Sequence, residues 1–129
     1  MVTIVVITLT GPPSPLQDDY RAASGVGLVF FLLTILCGAI LTPTGEEFLF
    51  RGVLANFLRR FGPWVMVLAS AAVFAVSHGI NYILPVAFVV GAIAAWLLWK
   101  TGSVWPGVIV HAVNNGYTVV VAAAAALLR

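Results

Sequence analysis

Long apolar segments separated by short polar or turn-forming segments run through this chain. Residues 23–42 carry no charged side chain and are long enough to cross a bilayer, which takes about 20 residues. The Thr-Pro-Thr-Gly sequence at 42–45 predicts a break, because a residue that precedes proline is disfavoured in the helical conformation. A second helix is predicted at 45–60, with Thr44 as its N-cap and Glu47 at the capping-box spacing.

Three more apolar segments follow, each bounded by glycine or proline. The predicted helices cover 64–78, 82–99 and 105–128. Residues 1–22 are predicted to form an N-terminal segment and loop. Residues 1–10 are apolar but too short to span a bilayer, and the proline-rich and polar residues 11–22 are predicted to form a loop outside the membrane. The expected fold is therefore all-α, a polytopic membrane helix bundle of about five helices, with its core at 23–129.

Composition agrees with a membrane location. Hydrophobic residues make up 62% of the 129 positions and charged residues only 8%, whereas soluble domains carry about 25% charged residues. We therefore expect a multi-pass integral membrane protein in contact with lipid, located in the plasma membrane if the organism is a prokaryote. The net charge of +2 and the lack of clustered basic residues argue against a nucleic-acid partner.

Basic residues predict an orientation. If each of the five predicted helices crosses the membrane, Arg21, Arg59, Arg60 and Lys100 all lie on one face. The positive-inside rule makes that face cytoplasmic.

The polar segment at 46–51 interrupts an otherwise apolar region. Glu47 and Arg51 are four residues apart, so they are predicted to form an ion pair on one helix face. Glu46 is rotated by about 100° from Glu47 and has Phe50 at i+4. Ionisable groups at membrane depth are rare and usually mark a pathway or a reaction site. Glu46 is thus a candidate general base, and a capping or packing role is its alternative.

The chain has two histidines, and both lie in or beside predicted helices. His111 and Asn115 are four residues apart and share a helix face; alternatively, they hold helices together through hydrogen bonds. His78 ends its helix, where a histidine is usually an interfacial residue or a partner of the helix dipole. If the polar groups converge, Glu46 and His78 can activate a water, while His111 and Asn115 can donate hydrogen bonds to an oxyanion.

Two other considerations bear on this site. Two histidines and a glutamate are also a common zinc set, but the helical His-Glu-x-x-His arrangement is absent, so metal-free catalysis without a cofactor is favoured over zinc. At about 1.5 Å per residue, Glu46 and His78 lie roughly 20 Å from the basic face and His111 about 10 Å from it. A single site therefore requires tilted helices.

Three short motifs, Glu46-Glu47-Phe48-Leu49-Phe50-Arg51, Phe74-Ala75-Val76-Ser77-His78 and His111-Ala112-Val113-Asn114-Asn115, occur in this order on separate predicted helices. In this the chain resembles the CAAX-protease and bacteriocin-processing (CPBP, or Abi) intramembrane proteases, which are related to the CAAX prenyl endopeptidase. The resemblance covers about residues 25–125. Members usually have more membrane helices ahead of the first motif, where this chain has one clear span.

The resemblance implies a glutamate-type intramembrane endopeptidase that acts on a peptide or protein at the membrane. In it Glu46 and His78 activate the water, His111 and Asn115 stabilise the oxyanion, and Glu47 and Arg51 are supporting residues. One alternative is a non-catalytic scaffold or a bacteriocin self-immunity protein. A small proton or ion path is a third reading, which the lack of further ionisable residues along the last two helices disfavours.

Overall fold

A computed structural model describes residues 27–127 of the chain. These residues contain helices and no strand. The helices are α1 (Leu28–Phe61), α2 (Pro63–Ser77), α3 (Leu84–Thr101) and α4 (Trp105–Leu127). The prediction of an all-α helix bundle is confirmed, and the proposed boundary between residues 22 and 23 lies outside the described residues.

The predicted break at 42–45 is wrong, because α1 continues through it. Thr42 has a φ of −61° and a ψ of −53°, which are helical values. The six residues Thr42–Glu47 are α-helical, and π-helical segments lie on both sides, at Ile35–Leu41 and Phe48–Ala55. Proline inside a regular α-helix clashes with the carbonyl four residues earlier. The π-helical turn ahead of Pro43 is wider than an α-helical turn, so it accommodates the proline ring and the helix continues.

Thr44 therefore caps nothing. Its hydroxyl donates a hydrogen bond to Ile40 O, at 2.6 Å within the same helix. The predicted capping-box role of Glu47 is also wrong, because the Glu47 side chain is completely buried and bound to residues of the core.

The four helices fold back on one another through short connections. Gly62 (φ 104°) and Gly102 (φ 70°) make the turns that follow α1 and α3, in a backbone region that side-chain-bearing residues rarely adopt. Antiparallel α2 and α3 pack together, and α4 packs on α3 and on the Ile35–Leu41 segment of α1. The end of α1, the start of α2, the end of α3 and the start of α4 consequently meet at one end of the bundle, which we call the basic end.

The basic end has an apolar interior and basic residues around it. Ala55, Met66 and Leu98 form a buried cluster there. Arg59 and Arg60 lie in the last turn of α1, and Lys100 lies in the last turn of α3. The predicted placement of Arg21 on the same face as Arg59 lies outside the described residues.

Among the described residues, three helical segments are apolar and long enough to cross a membrane: Leu28–Phe61, Leu84–Thr101 and Trp105–Ala124. The 15-residue α2 is shorter. With 34 residues, α1 is about 51 Å long, well beyond the roughly 30 Å of a hydrocarbon core. It must therefore tilt or extend past the apolar layer.

Candidate active site

The two neighbouring carboxylates of α1 occupy different environments. The Glu47 side chain is 0% exposed and points into the packed interior, whereas the Glu46 side chain is 28% exposed and lines a cavity. This difference follows from the rotation of about 100° between successive residues of a helix. One helical turn therefore holds a structural carboxylate and a solvent-accessible one.

Glu46 lies between the two histidines of the chain. Its Oε2 atom is 3.7 Å from His78 Nε2 and 3.7 Å from His111 Nε2. His78 is 24% exposed and His111 is 4% exposed. These distances are too long for direct hydrogen bonds, so the three atoms surround a small space at the wall of the cavity.

In both imidazoles the Nδ1 atom, which is not the nitrogen near Glu46, has a hydrogen-bond partner. His78 Nδ1 lies 2.9 Å from Phe74 O, and His111 Nδ1 lies 3.0 Å from Glu47 Oε1. A carbonyl or carboxylate oxygen can only accept, so each Nδ1 is assigned the proton. When the rings are neutral, both Nε2 atoms present lone pairs toward Glu46, and a molecule that donates protons, such as water, fits the space between them.

Glu47 connects the first motif to the third. Its Oε1 atom accepts from His111 Nδ1 and lies 2.9 Å from Arg51 Nη1. All three side chains are buried, and the Arg51 guanidinium also lies 4.4 Å from the centre of the Phe74 ring. The predicted Glu47–Arg51 ion pair is present, and it orients His111.

Two glycines on neighbouring helices make room for this ion pair. A methyl carbon on Gly107 of α4 would lie 2.9 Å from Glu47 Oε2, and one on Gly91 of α3 would lie 3.1 Å from Arg51 Nη2. Both separations are shorter than ordinary van der Waals contact. The backbones of α3 and α4 therefore pack directly on the Glu47–Arg51 pair.

Asn115 reaches from α4 to the backbone of α1. Its Nδ2 donates to Gly38 O at 3.1 Å, and its Oδ1 accepts from Asn114 Nδ2 at 3.3 Å. Both asparagine side chains are partly exposed and line the same cavity as Glu46.

The cavity has a volume of about 400 Å³, within the usual range for small ligands. One part of its wall is polar and holds the candidate catalytic groups and Asn114. The other part is apolar, with side chains from the α2–α3 connection, α3 and α4. The apolar lining includes Ile83, Val86, Ala87, Val90, Val119 and Ala122.

Sequence reasoning did not assign a role to Phe74, although it belongs to the second motif. Its ring centre is 4.7 Å from that of His78 and 5.2 Å from that of His111, in edge-to-face arrangements. Phe50 packs on it from α1 at 5.0 Å. Phe74 thus separates the two imidazoles from the apolar core, and its position four residues before His78 was the signal that could have identified it.

The structure brings all six predicted site residues into one region. Glu46, His78, His111 and Asn115 line the cavity, and Glu47 with Arg51 lies directly behind His111. Among residues 27–127, no group of three or more His, Cys, Asp or Glu side chains is arranged to hold a metal ion.

Comparison with known proteins agrees with the resemblance seen in the motifs. No curated protein and no solved structure matches the chain. A family model described as type II CAAX prenyl endopeptidase Rce1-like matches residues 28–117, which is more than half of the chain and includes all three motifs. With three helices that are long and apolar enough to cross a bilayer, this match makes the chain an integral membrane protein. The chain belongs to the family of type II CAAX prenyl endopeptidase Rce1-like proteins.

Proposed function

We propose that the protein is an intramembrane endopeptidase that hydrolyses a peptide bond with a water activated by Glu46 and His78. The observation that carries this proposal is the position of Glu46 Oε2, at 3.7 Å from Nε2 of both histidines in the wall of a cavity that is otherwise largely apolar. Family membership supports a CAAX protease-like enzyme.

In the first step, a water held by Glu46 and His78 transfers a proton to the Glu46 carboxylate, and its oxygen attacks the carbonyl carbon of the substrate. The carbonyl π electrons move to the oxygen, giving a tetrahedral oxyanion. When the C–N bond breaks, the leaving amine takes the proton from Glu46. Glu46 thereby returns to its carboxylate form.

The oxyanion needs hydrogen-bond donors in fixed positions. Asn115 supplies the Nδ2–H group that is not used on Gly38. His111 can donate from Nε2 only as an imidazolium, because its Nδ1 proton is held by Glu47 at 3.0 Å. The buried Glu47 carboxylate stabilises this positive charge.

The lining of the cavity supports an apolar substrate. A peptide bond must reach Glu46 while neighbouring groups contact Ile83, Val86 and Val90. An apolar or lipid-modified peptide at the membrane fits these surroundings, and a CAAX-type prenylated peptide, the substrate named by the family, is one probe to include.

Cleavage of a library of fluorogenic membrane peptides by the purified protein in lipid tests the proposal. Glu46→Gln should lower kcat about 10²–10⁴-fold, the usual cost of losing a general base, and it should leave the helix content and the unfolding temperature almost unchanged. Asp19→Asn removes a carboxylate elsewhere in the chain and serves as the matched control.

Chelator treatment separates the two mechanisms. Full activity in the presence of a chelator supports Glu/His catalysis, whereas loss that zinc restores would assign the chemistry to a metal. Wild-type activity in Glu46→Gln would rule out Glu46 as the base. A folded wild-type protein that cleaves nothing would favour the scaffold or self-immunity alternative.

A further inference from the structure

We propose that Pro43 and Asn114 are positioning residues that hold the Asn115 amide with its N–H groups toward the reaction site. This inference rests on the proposed function and deepens it. Pro43 acts by leaving a backbone carbonyl of α1 without its helical donor, and Asn115 occupies that carbonyl. Asn114 donates a hydrogen bond to the carbonyl oxygen of the same Asn115 amide.

The unoccupied carbonyl belongs to Gly38. In the π-helical segment Ile35–Leu41 the hydrogen bonds run from residue i+5 to residue i, and Thr42 N–H accordingly donates to Cys37 O. The next donor in this register would be residue 43, which is proline and has no N–H. The donor for an α-helical bond to Gly38 O would be Thr42, which is used on Cys37.

An unpaired backbone carbonyl in an apolar environment is costly. Asn115 Nδ2 fills the position at 3.1 Å, across 77 positions of sequence. The contact therefore joins α4 to α1 at the level of the cavity, where both Gly38 and Asn115 contribute to its wall. A proline in α1 thus creates the acceptor for a side chain of α4.

The same contact selects one of the two orientations of the Asn115 amide. Gly38 O can only accept, so the NH₂ group must face it and the carbonyl oxygen must point away. Asn114 Nδ2 donates to that oxygen at 3.3 Å, which favours the same orientation. With both contacts made, one Nδ2–H of Asn115 has no partner among the described residues and is available to an oxyanion.

Pro43→Ala tests the first contact. Alanine restores an N–H at position 43 that competes with Asn115 for Gly38 O, so the amide loses its anchor. Removing an oxyanion donor entirely costs about 10²–10³-fold in kcat, and we expect loss of its anchor to cost about 10-fold, with KM changed less than twofold. Pro106→Ala, the same substitution in the first turn of α4, should retain wild-type kinetics.

Asn114→Asp tests the second contact, because an aspartate accepts and cannot donate. It should draw the Asn115 NH₂ group away from Gly38 and lower kcat by a similar factor. Asn56→Asp makes the same chemical change on a side chain that donates to Gly52 O within its own helix, and it is the matched control. A peptide aldehyde, whose hydrate resembles the tetrahedral intermediate, should lose affinity in proportion to kcat/KM in both test variants.

A readout that needs no activity keeps this inference separate from the proposed function. The chain contains four asparagines, so selective ¹⁵N-asparagine labelling gives four side-chain amide pairs, and Asn115→Gln identifies the pair of Asn115. In Pro43→Ala this pair should shift and exchange its protons faster, while in Pro106→Ala it should not.

If the wild type cleaves peptides but Pro43→Ala has normal kcat and an unchanged Asn115 resonance, the positioning role is wrong and the proposed function stands. If no peptide is cleaved but the resonance moves as expected, the anchor is present and the proposed function fails. An unmoved resonance overturns the inference whether or not the wild type is active.

Discussion

Glu46 and Glu47 show how two identical neighbours acquire different tasks. Glu47 is held by Arg51 at 2.9 Å and His111 at 3.0 Å without exposure to solvent, whereas Glu46 has only longer contacts to two imidazoles. Both close contacts of Glu47 are made through its Oε1 atom in the packed interior, whereas the Glu46 side chain lines the cavity. The division of roles is therefore set by contacts and not by residue type.

Removal of Glu47 should affect stability more than removal of Glu46. Glu47→Gln leaves the Arg51 charge buried without its partner, which costs about 3–5 kcal/mol and should lower the unfolding temperature in detergent or lipid. Replacing both charges, with Glu47→Leu and Arg51→Met, should recover most of that stability, since apolar residues often replace a buried ion pair without loss.

Activity should not recover in the double variant, because His111 Nδ1 has lost its acceptor. The control is Glu46→Gln, which should unfold near the wild-type temperature. Equal destabilisation by Glu46→Gln and Glu47→Gln would contradict the division of roles.

At the scale of elements, α1 and the glycines that face it decide how the site is assembled. α1 does not stop at Pro43 but widens into π-helical turns on both sides of Thr42–Glu47. α3 and α4 then approach its buried ion pair at Gly91 and Gly107. The close approach of α4 brings His111 and Asn115 against α1, although residue counting placed His111 and Glu46 at different depths.

Gly107→Ala tests this close approach. The new methyl group would lie 2.9 Å from Glu47 Oε2 and 3.1 Å from Ala94 Cβ, so α4 must move away from α1 and α3. We expect a loss of about 1–3 kcal/mol, as is usual for overpacking, together with reduced activity.

Gly45→Ala is the matched control, because no atom lies within 4 Å of a methyl carbon at that position. Alanine is favoured over glycine in a helix by up to about 1 kcal/mol, so Gly45→Ala should be neutral or stabilising. Similar unfolding temperatures for Gly107→Ala and the wild type would show that α4 does not need glycine there.

At the scale of the whole molecule, the described helices form a bundle with distinct ends. The basic end carries Arg59, Arg60 and Lys100. Its interior is filled by the buried cluster of Ala55, Met66 and Leu98. The α2–α3 connection lies at the opposite end, where the buried Asn81 donates to His78 O at 2.9 Å and accepts from Ile83 N at 2.8 Å. These bonds hold the chain directly after His78 in place.

The basic end should face the cytoplasm, since lysine and arginine are retained on that side of a membrane. Two single-cysteine reporters in a Cys37→Ser background test this: Thr101→Cys at the basic end and Ile80→Cys in the α2–α3 connection, both at exposed positions. In bacterial membranes an impermeant thiol reagent should label Ile80→Cys in right-side-out vesicles and Thr101→Cys in inverted ones.

The Cys37→Ser protein without a reporter gives the background. Labelling of Thr101→Cys from the outside would reverse the orientation. Labelling of both reporters from one side would contradict the antiparallel packing of α2 and α3.

Much of this protein could be read from residue order alone. The apolar segments predicted α2, α3 and α4 to within two residues at every boundary, because length and hydrophobicity suffice to identify a helix that avoids water. The i,i+4 spacing of Glu47 and Arg51 predicted their pairing, and the three motifs indicated the family. These are local properties, or properties of composition, and they do not depend on which helices become neighbours.

Contacts between distant residues decided the rest. The disfavoured helical conformation of a residue before proline predicted a break at 42–45. Instead α1 is continuous, with π-helical turns on both sides of Thr42–Glu47, and α4 packs on it through contacts that include the Asn115 bond to Gly38 O. Counting residues from the basic face placed His111 about 10 Å from Glu46 in depth, yet the side-chain atoms lie 3.7 Å apart. Depth along one helix carries no information on how a second helix is tilted or shifted. Packing at Gly91 and Gly107, and the hydrogen bond to the Gly38 carbonyl that Pro43 leaves without a helical donor, form only when the helices are in contact.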